Sequence, residues 1–373
     1  MKKVYRQLLN FLMAAAVLIG AGTIVNTKMS QASGDEKQDA KAGTMEVHFI
    51  DVGQGDSTLI TCEGHAMLID TGEATKGTAI QNYLQKQKID KLDYLILTHP
   101  DSDHIGGAPV IITKFQIDKV FTSNYEKDNK TYMKLIQALD NKRLKQTTPK
   151  VGTKYSLGTA EFTILAPNNT YRNPNDASIA LLLQNGKNRF LFTGDAEEDA
   201  EQDILENGLD ISADVYKAGH HGSRTATSEK FFEAVSPSSA VISCGEDNSY
   251  GHPHAQTLNT FRMNGVKVYR TDEEGTIIAT SDGEKITFSV PESDTWQAGE
   301  PNGTGAVWNH TKPSAGESEA AKDEVTYILN TKSNKFHKPS CNALPEDENR
   351  EDSSESRSSI IEQGYEPCKR CNP

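Results

Sequence analysis

The chain has 373 residues, of which 36% are hydrophobic and 24% are charged, a composition typical of a soluble globular protein with a sizeable core. Its formal net charge of −13 excludes a broad basic surface for gripping nucleic acid, although it leaves room for a local basic patch. The odd number of cysteines, five, argues against a disulfide framework.

Residues 1–32 have the layout of a secretory signal peptide. Basic residues precede an apolar stretch from Leu8 to Val25, and the small-residue sequence SQA ends at Ala32. An uncleaved membrane anchor is the alternative, but the apolar stretch is short for a span, which needs about 20 residues. We therefore expect a secreted or cell-surface protein, with no stable membrane span after cleavage. The mature chain would carry 35 basic and 52 acidic residues, a net charge near −17.

A polar linker is predicted over residues 33–44, and strand and helix patterns alternate over residues 45–290. Strands are predicted at MEVHFIDV, STLITC and HAMLID, and a helix at TAIQNYLQKQ. The continuous apolar run LDYLILT indicates a strand buried on both faces. Strands follow at AEFTIL, SIALLL and NRFLFTGD, then a charged helix from Glu197 to Asn207. Later segments continue the alternation, which predicts one large α/β domain over residues 45–290.

Residue types that bind metals are concentrated directly after the LDYLILT run. The sequence HPDSDHIGG contains four of them within six positions: His99, Asp101, Asp103 and His104. Functional sites collect at the carboxyl ends of strands in α/β sheets, and histidine with aspartate suits Zn²⁺. Two pairs of ligands on one loop can serve two ions about 3.5–4 Å apart. A polar turn with capping aspartates is the alternative, but a metal site explains the concentration better.

Several motifs together resemble one known family. HPDSDHIGG resembles the His-x-His-x-Asp-His signature of the metallo-β-lactamase superfamily, with Asp101 in place of the second histidine. With DVGQGD, LFTGD, KAGHHGS and YGHP, it resembles the extracytoplasmic hydrolase domain of ComEC-type competence proteins, the DNA-uptake channel family. The resemblance covers residues 45–290. It implies an αββα sandwich with a dinuclear metal site at one edge, holding two Zn²⁺ or Mn²⁺ ions.

The resemblance also implies metal ligands. His99 and Asp101 match ligands of the first metal, Asp103 and His104 match ligands of the second, and Asp195 matches the carboxylate that bridges both. Asp103 is also expected to take part in catalysis.

Two ligand positions stay open at this stage. His220 matches the final ligand of the second metal, with the neighbouring His221 as the alternative. The superfamily usually supplies another histidine to the first metal from the strand before LFTGD, and this chain has NPNDASIALLL there. Asn175, Asp176 or Ser178 must substitute for it, or the first metal is weakly held.

Supporting roles are predicted around the metals. Asp70 matches a structural aspartate that orients the metal loop, and Asp56 and Asp176 are expected beside the ligands. His252 is a candidate for contact with the reacting substrate, with a solvated or capping role as the alternative.

A phosphate substrate would need hydrogen-bond donors near the metals. Lys217, Ser223 and Arg224, in and beside KAGHHGS, are the candidates for this role.

The end of the chain contains a second metal pattern. Residues 291–323 are rich in Pro, Gly, Ser and Glu, which predicts a linker. Residues 324–373 resemble the Ada-type zinc-binding module, and His337, Cys341, Cys368 and Cys371 have the spacing of a closed structural Zn²⁺ site. A disulfide with a spare cysteine is the alternative. The module is a candidate for contact with DNA or the cell wall.

The leading interpretation is a secreted hydrolase with two metal ions, a phosphodiesterase or nuclease on extracellular DNA that uses a metal-bridging hydroxide. One alternative keeps the metals and changes the substrate to phosphorylcholine or teichoic-acid diesters, or to lactones. A non-enzymatic alternative is a zinc-containing binding module at the cell surface.

Overall fold

A computed structural model describes residues 42–299, 327–339, 341, 344–346, 349–353, 360, 365–368 and 370. The predicted signal peptide and Cys371 lie outside the described residues, as do most of the two predicted linkers. The chain divides into two units at residue 308, and each is described here by itself. In the part of the chain that the structure describes, no helix has the length and apolar character needed to cross a membrane.

The first unit is built from strands and short helices in alternation. Its strands are Met45–Phe49 (β1), Thr58–Cys62 (β2), His65–Ile69 (β3), Lys91–Leu97 (β4), Gln116–Thr122 (β5), Gln146–Thr147 (β6), Lys154–Leu157 (β7), Ala160–Ala166 (β8), Ala180–Asn185 (β9), Asn188–Phe192 (β10), Val215–Lys217 (β11), Ser239–Ile242 (β12), Lys267–Arg270 (β13), Ile277–Ser281 (β14) and Ile286–Phe288 (β15). Its helices are Gly77–Lys86 (α1), Ser102–Ile105 (α2), Ala108–Lys114 (α3), Lys130–Lys142 (α4), Glu198–Glu206 (α5), Glu229–Val235 (α6), Ala255–Met263 (α7) and Thr271–Glu274 (α8), with a 3₁₀ turn at Gly219–Gly222.

These strands form two mixed sheets. The first has the order β15-β14-β1-β2-β3-β4-β5-β6, and the second has the order β13-β12-β11-β10-β9-β8-β7. Parallel pairing runs from β3 to β6 in the first sheet and from β10 to β13 in the second. Because parallel strands end at the same edge of their sheet, the loops after β3 and β4 lie at one edge of the first sheet, and the loops after β10 and β11 lie at one edge of the second.

The two sheets pack face to face, and helices cover their outer faces. Between the sheets, Val47 and Phe49 of β1 belong to the same buried cluster as Leu181 and Phe190 of the second sheet. A second cluster joins the outer face of the first sheet to α1, α3 and α4, and a third joins the second sheet to α5, α6 and α7. Burial of each large apolar side chain contributes about 1.5–3 kcal/mol. The layers are therefore helix, sheet, sheet, helix, as predicted.

The first unit extends beyond its predicted end at residue 290. The Ser293 amide donates to Val268 O at 2.7 Å, the Gly299 amide donates to Pro253 O at 3.0 Å, and Trp296 packs against the third cluster. Residues 293–299 thus contact the first unit beyond the predicted boundary, through backbone hydrogen bonds that leave no periodic apolar pattern in the sequence.

The second unit contains a small sheet. Its strands are Tyr327–Asn330 (β16), Lys335–His337 (β17), Arg350–Ser353 (β18) and Glu366–Pro367 (β19), in the order β18-β16-β17-β19. Leu329, Phe336 and Ile360 form its buried apolar cluster, with Tyr327 and Tyr365 packed against it. So small a core gives limited stability, and a module of this size usually needs a metal or disulfides as well.

Candidate metal centre

The predicted ligands converge on one carboxylate at the carboxyl ends of the strands. Four imidazole Nε2 atoms surround Asp195 Oδ2, at 3.3 Å from His104, 3.5 Å from His221, 3.8 Å from His220 and 3.9 Å from His99. Asp195 Oδ1 and His99 Nε2 are buried and have no hydrogen-bond partner. Buried polar atoms without partners are costly, so this set of N and O donors fits divalent cations.

The tightest group contains two carboxylates and two imidazoles. The ligand atoms of Asp103, His104, Asp195 and His221 all lie within 4.8 Å of one another. Asp103 Oδ2 is 3.3 Å from His221 Nε2 and 3.8 Å from His104 Nε2. The sequence left His220 and His221 as alternatives for this position, and His221 is the one that lies in the tight group.

Asp70 orients this group from behind, as the resemblance implies. Its Oδ2 lies 2.9 Å from His104 Nδ1, which leaves His104 Nε2 to face the centre. Asp70 also accepts hydrogen bonds from the Thr98 amide at 2.8 Å and the Thr98 hydroxyl at 2.7 Å. A metal-binding histidine typically donates its other ring N–H to such a partner, which fixes its tautomer.

The other three imidazoles are held in the same way. His221 Nδ1 lies 3.0 Å from Ser243 O, and His220 Nδ1 lies 3.0 Å from Glu197 Oε1. For His99, Nδ1 lies 3.3 Å from the Ser178 hydroxyl. All four rings therefore have Nδ1 at an anchoring group and Nε2 turned toward Asp195.

Charge and burial act against each other here. Burial alone would lower the pKa of His104 and His221, but nearby carboxylates outweigh it: the pKa of His104 rises well above its usual range and that of His221 to about 10. Burial would likewise raise the pKa of Asp195, but His104 and His221 hold it well below its usual range. The cluster thus stabilises positive charge strongly, and bound divalent ions would replace these protons.

Two glycines after the ligands let the metal loop approach the chain beside it. A Cβ on Gly106 would lie 2.3 Å from the Ala74 amide nitrogen, and one on Gly107 would lie 2.3 Å from Thr71 O. The His104 carbonyl accepts from the Thr71 amide at 2.7 Å across the same contact. The glycine pair is therefore needed for packing around the ligands.

Asp101 pairs with a lysine, and its role as a ligand of the first metal stays a prediction. Its Oδ1 lies 2.6 Å from Lys127 Nζ, and both side chains are about one-third exposed. The carboxylate is neutralised by an ammonium at the rim and is not part of the tight ligand group. Sequence reasoning missed Lys127, because a lysine in the loop between β5 and α4 carries no pattern that distinguishes it from other surface lysines.

Lys217 and Ser223, two of the predicted phosphate donors, are both buried. Lys217 Nζ is buried and contacts both carboxylate oxygens of Asp56 at 2.9 Å. Ser223 is also buried, and its hydroxyl lies 2.9 Å from that of Thr225. Their roles in binding a phosphate stay predictions, and both side chains complete internal contacts. Of the three proposed donors, only Arg224 is exposed.

Asp56 and Asp176 are both near the ligands but act differently. Asp56 lies 3.7 Å from His221 Nδ1 and pairs with Lys217. Asp176 accepts the Glu197 amide at 3.1 Å, and so supports the residue that anchors His220.

His252 is a buried neighbour of the centre. Its ring lies 5.3 Å from that of His220 and 6.0 Å from that of His221. Burial and these two imidazoles lower the pKa of His252 to about 3, so the ring is neutral. Tyr250, which sequence reasoning missed, stacks on His252 at 5.7 Å and is 66% exposed.

The second unit contains the other predicted metal pattern. His337, Cys341 and Cys368 offer ligand atoms within 4.8 Å of one another, and His337 Nδ1 lies 3.4 Å from Cys341 Sγ. His337 Nε2 is buried without a partner. The fourth predicted ligand, Cys371, lies outside the described residues.

A four-layer αββα sandwich with a histidine and aspartate cluster at the strand ends defines a metal-dependent hydrolase fold. The family model of the metallo-beta-lactamase superfamily matches residues 50–246, and the chain belongs to that superfamily.

Proteins with competence and recombination names are among its relatives. The chain is 32% identical over 278 residues to ComE operon protein 3 of Bacillus subtilis, an alignment that covers 69% of this chain and 36% of the relative. It is 34% identical over 242 residues to Recombination protein 2 of Haemophilus influenzae, covering 63% of this chain and 28% of the relative. The chain thus spans about a third of the length of the curated relatives it matches.

Solved structures are more distant. The metallo-beta-lactamase-fold protein YhfI of Bacillus subtilis is 13% identical with a TM-score of 0.45, and the match covers 64% of this chain and 100% of that one. Igni18, a metallo hydrolase of Ignicoccus hospitalis, is 15% identical with a TM-score of 0.43, and the match covers 62% of this chain and 98% of that one.

Proposed function

We propose that this protein is a secreted or cell-surface phosphodiesterase with two metal ions, acting on extracellular DNA. The observation that carries the proposal is the set of four anchored imidazoles whose Nε2 atoms surround Asp195. The relatives named for competence and recombination support a DNA substrate and a location outside the cytoplasm or at the membrane.

The protein's own residues would hold and orient the reactants. Two Zn²⁺ or Mn²⁺ ions, when bound, would supply a hydroxide nucleophile at neutral pH and polarise the scissile phosphoryl group. Asp103 and Asp195 would hold that centre, and Asp70 would keep His104 in the ligating tautomer. Arg224 is exposed and would be the candidate contact for phosphate oxygens of a bound strand, whereas Lys127 is paired with Asp101.

A local grip on DNA is consistent with the acidic composition. With a net charge of −13, the chain would rely on a few cations near the metals rather than on a basic face. Each phosphate contact contributes about one unit to the dependence of binding on salt concentration. We therefore expect weak affinity for DNA with a shallow salt dependence.

The test is hydrolysis by the full mature chain loaded with Zn²⁺ or Mn²⁺. Substrates are single-stranded DNA, double-stranded DNA and bis-p-nitrophenyl phosphate. Cleavage of DNA that is lost in Asp103→Ala/His104→Ala and retained in His65→Ala supports the proposal, because the His65 side chain is half exposed and pairs with Asp93 on β4. Turnover of the small diester without DNA cleavage would instead favour a wall or choline diester, and turnover of neither would favour lactones or a binding module.

We also propose a structural zinc site in the second unit. His337, Cys341 and Cys368 would bind Zn²⁺ with Cys371 as the fourth ligand, a closed tetrahedral site. Zinc counting tests this: Cys368→Ser should lose one equivalent of zinc, whereas Ser353→Ala should retain it. Equal zinc content in both would overturn the proposal. The acidic run at 346–355 weighs against contact between this unit and DNA, because it would repel phosphates.

A further inference from the structure

The first metal position lacks its usual histidine, and the three residues expected to replace it are engaged elsewhere. The Asn175 side-chain amide donates to Glu197 at 3.3 Å, and Asp176 accepts the Glu197 amide at 3.1 Å. The Ser178 hydroxyl accepts from the Asp195 amide at 3.1 Å and lies 3.3 Å from His99 Nδ1. Another side chain must complete the set around His99.

Like His99, His220 borders Asp195 but lies outside the tight ligand group of Asp103, His104, Asp195 and His221. Its Nε2 lies 3.8 Å from Asp195 Oδ2, the same oxygen that is 3.9 Å from His99 Nε2. Its Nδ1 lies 3.0 Å from a Glu197 oxygen, the carboxylate–histidine arrangement common behind bound metals. Glu197 is itself held by hydrogen bonds from Thr225 at 2.8 Å and Asn173 at 2.8 Å.

The backbone explains how two adjacent histidines can serve different ions. His220 and His221 both adopt left-handed conformations, with φ of 49° and 55°. Their rings are 6.1 Å apart with an interplanar angle of 67°. His221 thus turns its Nε2 to Asp103 at 3.3 Å, whereas His220 is anchored at Glu197. L-residues rarely adopt this conformation, so two in succession indicate a functional requirement.

We propose that His220 is a ligand of the first metal ion together with His99 and Asp195, and replaces the histidine absent from residues 175–178. His221 then serves the second ion with Asp103 and His104. This inference rests on the proposed two-ion centre. It leaves Asp101 with Lys127, so the first ion has one fewer carboxylate than the resemblance implies.

The test counts bound Mn²⁺ in single and double variants of the full mature chain. Mn²⁺ is used because the thiolates of the second unit select zinc. The intact protein should bind two Mn²⁺, and His220→Ala, His99→Ala and Asp103→Ala should each bind one. The combination His220→Ala/His99→Ala should still bind one, because both changes empty the same position, whereas His220→Ala/Asp103→Ala should bind none.

Several outcomes would overturn the proposal. Two ions in His220→Ala would do so, as would no ion in His220→Ala/His99→Ala. The electron paramagnetic resonance spectrum gives an independent readout: a coupled Mn²⁺ pair in the intact protein should become an isolated-ion spectrum in His220→Ala. Circular dichroism checks folding, His220→Gln preserves the bulk of the side chain, and His65→Ala should bind two ions.

The counts separate this inference from the proposed function. The numbers of bound Mn²⁺ are measured without substrate. If they are as expected but the protein does not cleave DNA, only the proposal that DNA is the substrate is overturned. A single Mn²⁺ in the intact protein would overturn the two-ion centre and this inference with it.

Discussion

At the scale of single residues, Asp70 shows how much the centre depends on a group behind the ligands. Asp70 lies between Thr98, which donates to it twice, and His104 Nδ1, which is 2.9 Å away. The carboxylate accepts only, so His104 must carry its proton on Nδ1 and leave Nε2 available for a metal. The identity of Asp70 therefore decides the tautomer of a residue 34 positions away.

We expect Asp70→Asn to weaken metal binding about 10–100-fold, the usual cost of losing such a partner. The amide would present a donor to His104 Nδ1 and favour the tautomer whose Nε2 carries the proton. Competition with a chelating dye measures the dissociation constant. Asp118→Asn, at an exposed pair with Lys91, is the matched control. An unchanged metal affinity in Asp70→Asn would contradict this role.

Tyr250 gives a prediction for the proposed DNA substrate. It is exposed, stacks on the buried His252, and its turn is fixed by Asn248 Oδ1, which accepts from the amides of Tyr250 at 3.2 Å and His252 at 3.0 Å. Stacking of a base on an aromatic ring contributes about 1–3 kcal/mol. Tyr250→Ala should therefore raise KM for single-stranded DNA roughly 10-fold, whereas Tyr250→Phe should have a KM close to that of the intact protein. Steady-state kinetics check this, and equal KM values in all three would refute it.

Sequence could predict part of the centre because some of it is local. His99, Asp103 and His104 follow one buried strand, so their spacing alone brings them together. The proposed binding of different ions by His220 and His221 depends on their backbone angles and on Glu197. The burial of Lys217 depends on Asp56, 161 positions away. Such long-range partners leave no pattern in a single sequence.

At the scale of elements, a buried glutamate joins α5 to α6. Glu201 accepts from the amides of Thr227 at 2.6 Å and Ser228 at 2.8 Å, immediately before α6. This contact fixes the chain a few residues after the 3₁₀ turn that carries His220 and His221. Burial raises the pKa of Glu201 above its usual 4.5 despite these hydrogen bonds.

The raised pKa predicts a pH dependence of stability. Above about pH 4.5 the unfolded chain has released this proton while the folded chain still holds it. The folded state therefore binds more protons, and its free energy of unfolding falls as the pH rises through this window. Glu201→Gln should make the melting temperature less dependent on pH above about 4.5, whereas the exposed Glu206→Gln should not. Parallel pH profiles for Glu201→Gln and the intact protein would contradict the assignment.

The predicted elements were most accurate where apolar patterns are strong. LDYLILT is indeed a buried strand between β3 and β5, and TAIQNYLQKQ lies almost entirely in α1. Helix α4 was not predicted, although Leu135, Ala138 and Leu139 have helical spacing. Its mixed polar sequence predicts a helix less strongly than the apolar runs around it predict strands. The loop before this helix, which contains Lys127, was therefore not identified either.

At the scale of the whole molecule, metal binding should contribute to the stability of the first unit. Without ions, the centre keeps Asp195 Oδ1 and His99 Nε2 buried and unpaired. A ligand present at about 1,000 times its dissociation constant stabilises the folded state by about 4 kcal/mol. For a domain of this size that corresponds to a rise in Tm of roughly 10 °C.

Differential scanning calorimetry with and without Mn²⁺ measures this effect. EDTA-treated protein should melt roughly 10 °C lower than the Mn²⁺-loaded protein. Asp103→Ala/His104→Ala should show a much smaller difference, because it lacks two of the four residues in the tight ligand group. A shift of equal size in that variant would mean that Mn²⁺ stabilises the protein elsewhere.

The shared turn of His220 and His221 has a consequence for how the two ions load. Both histidines have a left-handed backbone conformation, and one peptide plane joins them. An ion that binds one imidazole would therefore also restrict the backbone that positions the other. The second ion would then cause a smaller loss of conformational entropy when it binds. If the proposed two-ion centre holds, we expect the two ions to load cooperatively, and by thermodynamic reciprocity the loss of either ion would weaken binding of the other.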